Sequence, residues 1–322
     1  QIRTTSALYS ALNWRRFFVG SLDILGRAIL PHPSCPRNRG RVKFGDYVDR
    51  IREHLGRDPA FVFVDPTGWK GAAMRFIAPL VRGPGPRDVL VNVMYDLLNW
   101  QKDRVADHVR EQMRDFFSVD PPTGQDEDEL FEFYRQQLKS KCGLQHAADV
   151  SVPHPTHDRS KFHLVVGGKN PAVLHVFREV EKQILGSAAA QIRDEAVRRA
   201  EEERTRQLTL LVAPEEVDRR YKVVHDRDIQ LAEGDILKRL SAGPVTFGEL
   251  WPEILERRHL TERDLAKLVG LLRKERRLVI TGKELGRAVR AEHLLALPGA
   301  RAGVPRKAGV SEKSGAGARG RA

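Results

Sequence analysis

The apolar run Phe61-Val62-Phe63-Val64 stops abruptly on Asp65-Pro66-Thr67-Gly68-Trp69-Lys70, and this junction constrains the fold more than any other stretch. Four successive Phe and Val residues favour a strand covered on both faces, as in the parallel sheet of an α/β fold. Asp-Pro-x-Gly then turns the chain at once. The strand therefore delivers polar side chains at its carboxyl end, the edge where open α/β sheets bind ligands. Met74, Phe76, Ile77, Leu80 and Val81 are spaced for one face of a helix, Gly83-Pro84-Gly85-Pro86 breaks it, and Val89 to Tyr95 is a second strand-like run. Strand, helix, strand is a βαβ unit. Upstream, Val42-Lys43-Phe44-Gly45-Asp46 reads as a short strand ending in Gly-Asp, followed by a helix carrying Tyr47, Val48, Ile51 and Leu55.

The composition changes after Leu185. From Ala188 to Gln207 Arg and Glu dominate with Ala, and their mixed charges at helical spacing predict a solvated helix joining two domains. Beyond it, Leu231, Ile236, Leu237 and Leu240 mark a helix ended by Ser241-Ala242-Gly243-Pro244. Thr246-x-x-Glu249 offers a capping box for a second helix, which Pro252 strains, and Thr261-x-x-Asp264 opens a third. Leu265, Leu268, Val269 and Leu272 point inward from that third helix, leaving Arg263, Lys267, Gly270 and Lys274 along its opposite face. Leu278 to Lys283 then reads as a strand entering a turn. Helix, helix, basic helix and hairpin make a winged helix-turn-helix, whose third helix can bring Arg263, Lys267, Arg273 and Lys274 to phosphates or base edges. The alternative is a protein-docking winged helix with solvated cations. A formal net charge of +12 favours a polyanionic partner, although the Gly-, Ala-, Arg- and Lys-rich tail supplies part of it.

Three segments together carry a resemblance. F-V-F-V-D-P-T-G-W-K-G at 61–71, V-L-V-N-V-M-Y-D-L-L-N at 89–99 and K-F-H-L-V-V-G-G-K-N-P-A-V-L-H-V-F at 161–177 resemble the three-Cys-motif partner protein family, methyltransferase-like proteins with an appended winged helix. The resemblance implies a Rossmann-like methyltransferase-type α/β sheet, a three-Cys-motif protein as partner, and S-adenosylmethionine as cofactor. It places Gly45 and Asp46 where the cofactor adenine is contacted. Asp65, Pro66 and Trp69 fall at the catalytic position, where amino-directed methyltransferases hold the target nitrogen. Thr67 and Gly68 intervene before Trp69, however. The structural alternative makes Asp65 a helix cap, Pro66 a first-turn residue and Trp69 a core side chain.

Residues 1–41 hold Asn13-Trp14-Arg15-Arg16-Phe17-Phe18 and the Pro-rich piece Pro31 to Pro36, with no G-x-G before a helix. Without that glycine-rich turn the chain is expected to bind S-adenosylmethionine weakly or not at all. The start on Gln1 fits a fragment, a processed product or an altered reading frame.

A length of 322 residues and 41% hydrophobic content allow one large and one small domain. The expected division is an atypical segment at 1–41, the α/β domain at 42–186, a charged helical linker at 187–228, the winged helix at 229–298 and a disordered basic tail at 299–322. No stretch approaches the roughly 18–20 apolar residues of a membrane span, and a cytoplasmic protein without membrane contact is expected. Cys35 and Cys142 are isolated, which argues against a disulfide framework or a zinc site. His154, His157, His163 and His175 lack metal-ligand spacing and an acidic partner, so they read as surface or capping histidines and no metal is expected. Gly167-Gly168-Lys169-Asn170 lacks phosphate-loop spacing and reads as a turn between strand and helix.

Overall fold

The computed structural model describes residues 44–65, 73–94, 107–120, 126–153, 160–188, 219–282 and 288–299, with 202 and 204 in helix between them. The segment 1–41, Pro66, Trp69, most of the charged linker and the tail beyond Gly299 lie outside the described residues.

A four-stranded sheet has the order β1-β2-β4-β3. Strand β1 (Ala60–Val64) runs parallel to β2 (Arg87–Val93), and helix α2 (Met74–Val81) joins them. Strand β4 (Ser160–Gly168) is antiparallel both to β2 and to β3 (His146–Pro153). Three strands thus share one direction and β4 opposes them. The expected Rossmann-like sheet is therefore mixed among the described residues. The reason is local: a parallel return needs a crossover of about a dozen residues, whereas Pro153 and Ser160 are separated only by 154–159. Strand β1 is also less covered than its composition implies, with Phe61, Val62 and Phe63 half-buried on the outermost strand among the described residues.

On one face of the sheet Val64, Val89, Val91, Val93 and Val165 join Met74 and Ile77 of α2, Phe116 and Phe117 of α3 (Asp107–Phe117), and α4 (Glu127–Cys142) in a single apolar core. Helix α4 starts on a capping box between Asp126 and Glu129 and places Leu130, Phe131, Tyr134 and Leu138 inward. The first described element corrects an expectation. Phe44–Tyr47 is a 3-10 turn leading into α1 (Val48–Leu55), not a strand. Buried Arg87 donates to the carbonyls of Leu55, Gly56 and Asp58, closing the far end of α1. Gly167 and Gly168 end β4 before Pro171 opens α5 (Ala172–Gln183), and Asn170 accepts from the Ala172 amide at 2.9 Å, so that stretch is a strand-to-helix turn.

The second half builds α6 (Arg219–Ser241), β5 (Val245–Thr246), α7 (Phe247–Arg257), α8 (Glu262–Lys274), β6 (Val279–Thr281) and β7 (Leu294–Ala296). Its three strands form a small antiparallel sheet in the order β5-β7-β6. Helix α6 begins ten residues before the expected domain start at 229. Helix α7 runs through the buried Pro252. The core of this half does not end at the domain boundary. Ala148 of β3, Val166 of β4 and Leu174 of α5 belong to the same cluster as Leu250, Leu255, Leu265 and Leu272.

Candidate nucleic-acid interface

Helix α8 begins at a complete capping box. The Asp264 amide donates to Thr261 Oγ1 at 3.2 Å, while Asp264 Oδ2 accepts from the Thr261 amide at 3.3 Å and from its hydroxyl at 2.8 Å. Such a cap contributes about 1 kcal/mol. Asp264 also accepts from Lys182 Nζ of α5 at 2.8 Å and from His225 Nε2 of α6 at 3.4 Å. Burial alone would raise the Asp264 pKa, but hydrogen bonds from His225, Lys182 and Thr261 outweigh it and hold the carboxyl well below the usual range. Leu265, Leu268, Val269 and Leu272 are buried, and the chain leaves the helix through Arg276, whose φ of 60° suits the left-handed turn that stops it.

The opposite face of α8 carries Arg263, Lys267 and Lys274, with Arg273 to one side, and all four are exposed. At about 100° per residue, Arg263, Lys267, Gly270 and Lys274 fall within a stripe about 60° wide. Among the described residues none of these four cations makes an ion pair, whereas four arginines elsewhere in this half do. Arg227 pairs with Asp228 at 3.0 Å, Arg239 with Glu253 at 3.1 Å, Arg258 with Asp235 at 2.7 Å, and Arg277 with Glu233. The positive potential of the winged half is thus left uncompensated along one helix face.

The other sequence-derived residues lie elsewhere. Asp65 is exposed at the carboxyl end of β1, where its Oδ1 accepts from Asn92 Nδ2 of β2 at 2.8 Å. Gly45 lies in the 3-10 turn, and a Cβ there would sit 2.4 Å from the Phe76 ring. Its missing side chain is explained by that close contact. Asp46 shares the turn, and Pro66 and Trp69 are outside the described residues.

Sequence reasoning missed a buried polar network that fastens the two halves together. Arg135 of α4 donates to Asp149 Oδ1 at 2.6 Å, while His163 Nδ1 and Nε2 face Asp149 Oδ2 at 3.0 Å and Glu127 Oε1 at 2.5 Å. The imidazole stacks on Phe131, with ring centres 3.5 Å apart. His163 is therefore a buried ionic residue rather than a surface or capping histidine, and its acidic partners come from other elements. Burial alone would lower its pKa, but hydrogen bonds to Asp149 and Glu127 and their charges raise it, so the imidazolium donating from both nitrogens is favoured. Behind it, Arg178 of α5 donates to the carbonyls of Leu255 at 3.0 Å and Asp149 at 2.9 Å, and to Glu181 Oε2 at 2.6 Å. Glu181 meets His259 Nδ1 at 2.7 Å. Lys139 Nζ and His146 Nδ1 both contact Glu256, at 2.8 and 3.1 Å, beside a cleft of about 420 Å³ between α4 and α7. Among the described residues no three His, Cys, Asp or Glu side chains group to hold a metal ion, and no helix is long and apolar enough to cross a membrane.

Helix, strand, two further helices and an antiparallel pair closing a three-stranded sheet define a winged helix-turn-helix domain. Residues 199–284 match the model of the family described as GMT-like wHTH domain. No curated protein and no solved structure matches the chain.

Proposed function

We propose that the chain binds nucleic acid through the winged helix, with α8 as the helix that meets the duplex and the α/β layer as its support. The observation carrying this reading is the stripe of exposed cations along one face of α8 that make no ion pair among the described residues. The net charge of +12 gives the long-range attraction the same sign. Replacing both Lys267 and Lys274 by Gln is expected to lower affinity for duplex DNA of every sequence. It should also flatten the salt dependence by about 0.9 units of slope per lost phosphate contact. Fluorescence anisotropy titrations between low and moderate salt measure both. Unchanged affinity and slope would leave protein docking as the role of this domain.

A second reading makes the α/β layer a relative of nucleic-acid methyltransferases that acts with a three-Cys-motif protein. It is favoured by the hydrogen-bonded pair of Asp65 and Asn92 at the aligned carboxyl ends of two parallel strands, where such enzymes place chemistry. At Gly45, where the resemblance puts the cofactor adenine, the open side is filled by the Phe76 ring. Calorimetric titration of the chain with S-adenosylmethionine is therefore expected to give no micromolar isotherm. A micromolar isotherm that Asp46→Ala abolishes would restore the enzyme reading.

A further inference from the structure

We infer that Gly270 is the point where the sugar-phosphate backbone of duplex DNA seats on α8, an inference that rests on the nucleic-acid reading above. Glycine inside a helix is about 1 kcal/mol less favourable than alanine, so its presence calls for a reason. Two ordinary reasons are absent. Gly270 is not among the residues with positive φ, and nothing described lies within 4 Å of where its Cβ would be. Glycines that do serve packing are recognisable in this protein. A Cβ on Gly167 would come 2.7 Å from Leu144, and one on Gly248 would come 3.0 Å from the Ala291 carbonyl.

What surrounds Gly270 is charge. Lys267 lies one turn before it and Lys274 one turn after it, both exposed, so the basic stripe has a gap one residue wide at its centre. The two lysines stand about 10 Å apart along the axis at about 1.5 Å per residue. A strand of DNA entering that gap can hold phosphates against both ammonium groups while its sugars touch bare helix backbone. Close approach of a ligand to main chain is one of the uses that glycine permits. Gly270 itself has no side chain to read a base edge, so a backbone seat there positions the duplex without selecting its sequence.

The full chain with Gly270→Ala tests this against fluorescein-labelled duplexes of unrelated sequence at fixed salt. The variant is expected to melt at a higher temperature yet bind every duplex about fivefold more weakly, equivalent to about 1 kcal/mol. Gly234→Ala is the control, because Gly234 also has open space but its neighbours one turn away are Gln230 and Lys238 rather than a cationic stripe. It should gain stability and keep its affinity. If Gly270→Ala keeps full affinity while Lys267→Gln with Lys274→Gln loses it, the inference is wrong and the nucleic-acid reading stands. If neither loses affinity, both are wrong. A loss confined to particular sequences would mean that Gly270 faces base edges, which also overturns the inference.

Discussion

Arg178→Ala is expected to destabilise the protein by about 3–5 kcal/mol, the usual result of removing one member of a buried ion pair. The guanidinium is 1% exposed and holds two backbone carbonyls, Leu255 of α7 and Asp149 of β3, together with Glu181. Truncation leaves Glu181, itself 5% exposed, with only His259 for compensation, and leaves the two carbonyls without that donor. The loss is a large share of the roughly 5–15 kcal/mol that holds a typical domain together. Urea denaturation followed by circular dichroism measures it. Replacing Arg178 and Glu181 together by Met and Leu should recover much of the loss, since an apolar pair of similar volume avoids the buried uncompensated charge. A single-variant loss below about 1 kcal/mol, the scale of an exposed pair, would show that Arg178 does not fasten the two halves.

The second large effect is on pH dependence. The His163 pKa is raised in the folded protein, so its contribution is fully present below its unfolded value of about 6.5 and is lost as pH rises through the folded value. The carboxyls behave in the opposite sense. For Asp149, Glu127 and Glu181 burial alone would raise the pKa, but hydrogen bonds and nearby cations lower it. Their contribution is present above unfolded values of about 3.9 for Asp and 4.3 for Glu, and is lost as pH falls through the folded values. Stability should therefore be greatest between about pH 4.3 and 6.5, with a decline on the alkaline side that is absent from most proteins lacking a buried imidazolium. His163→Gln removes the titrating group and should flatten that alkaline limb while lowering stability at pH 6. An unaltered alkaline decline in the variant would assign it to another group.

The features legible in the sequence were those decided by near neighbours. Thr246 with Glu249 and Thr261 with Asp264 signal helix starts three residues ahead, and both capping boxes are formed. The turn at Gly167 to Asn170 and the basic face of α8 follow from spacing in the same way. Helix α4 carries an equally local signal, Asp126-x-x-Glu129 followed by Leu130, Phe131, Tyr134 and Leu138, which would have revealed it. The features missed depend on distant partners. Gly45 reads as the polar end of a strand until the ring of Phe76 is brought against it. His163 looks like an ordinary strand histidine until Glu127 of α4 and Asp149 of β3 close on it from either side. Arg178, on a helix whose sequence marks no buried charge, becomes a junction only after α7 presents the Leu255 carbonyl to it.

The shared core beneath α5 has a mechanical consequence. Lys182 grips the first turn of α8 and Arg178 grips the end of α7, so the winged helix is mounted on the sheet rather than tethered to it. A duplex lying on α8 would keep a constant bearing relative to the strand ends that carry Asp65 and Asn92. Cutting the chain at the expected linker would not release a free-standing module either. It would strip Leu250 and Leu255 of the cover given by Ala148, Val166 and Leu174, leaving an unsealed apolar wound on each piece.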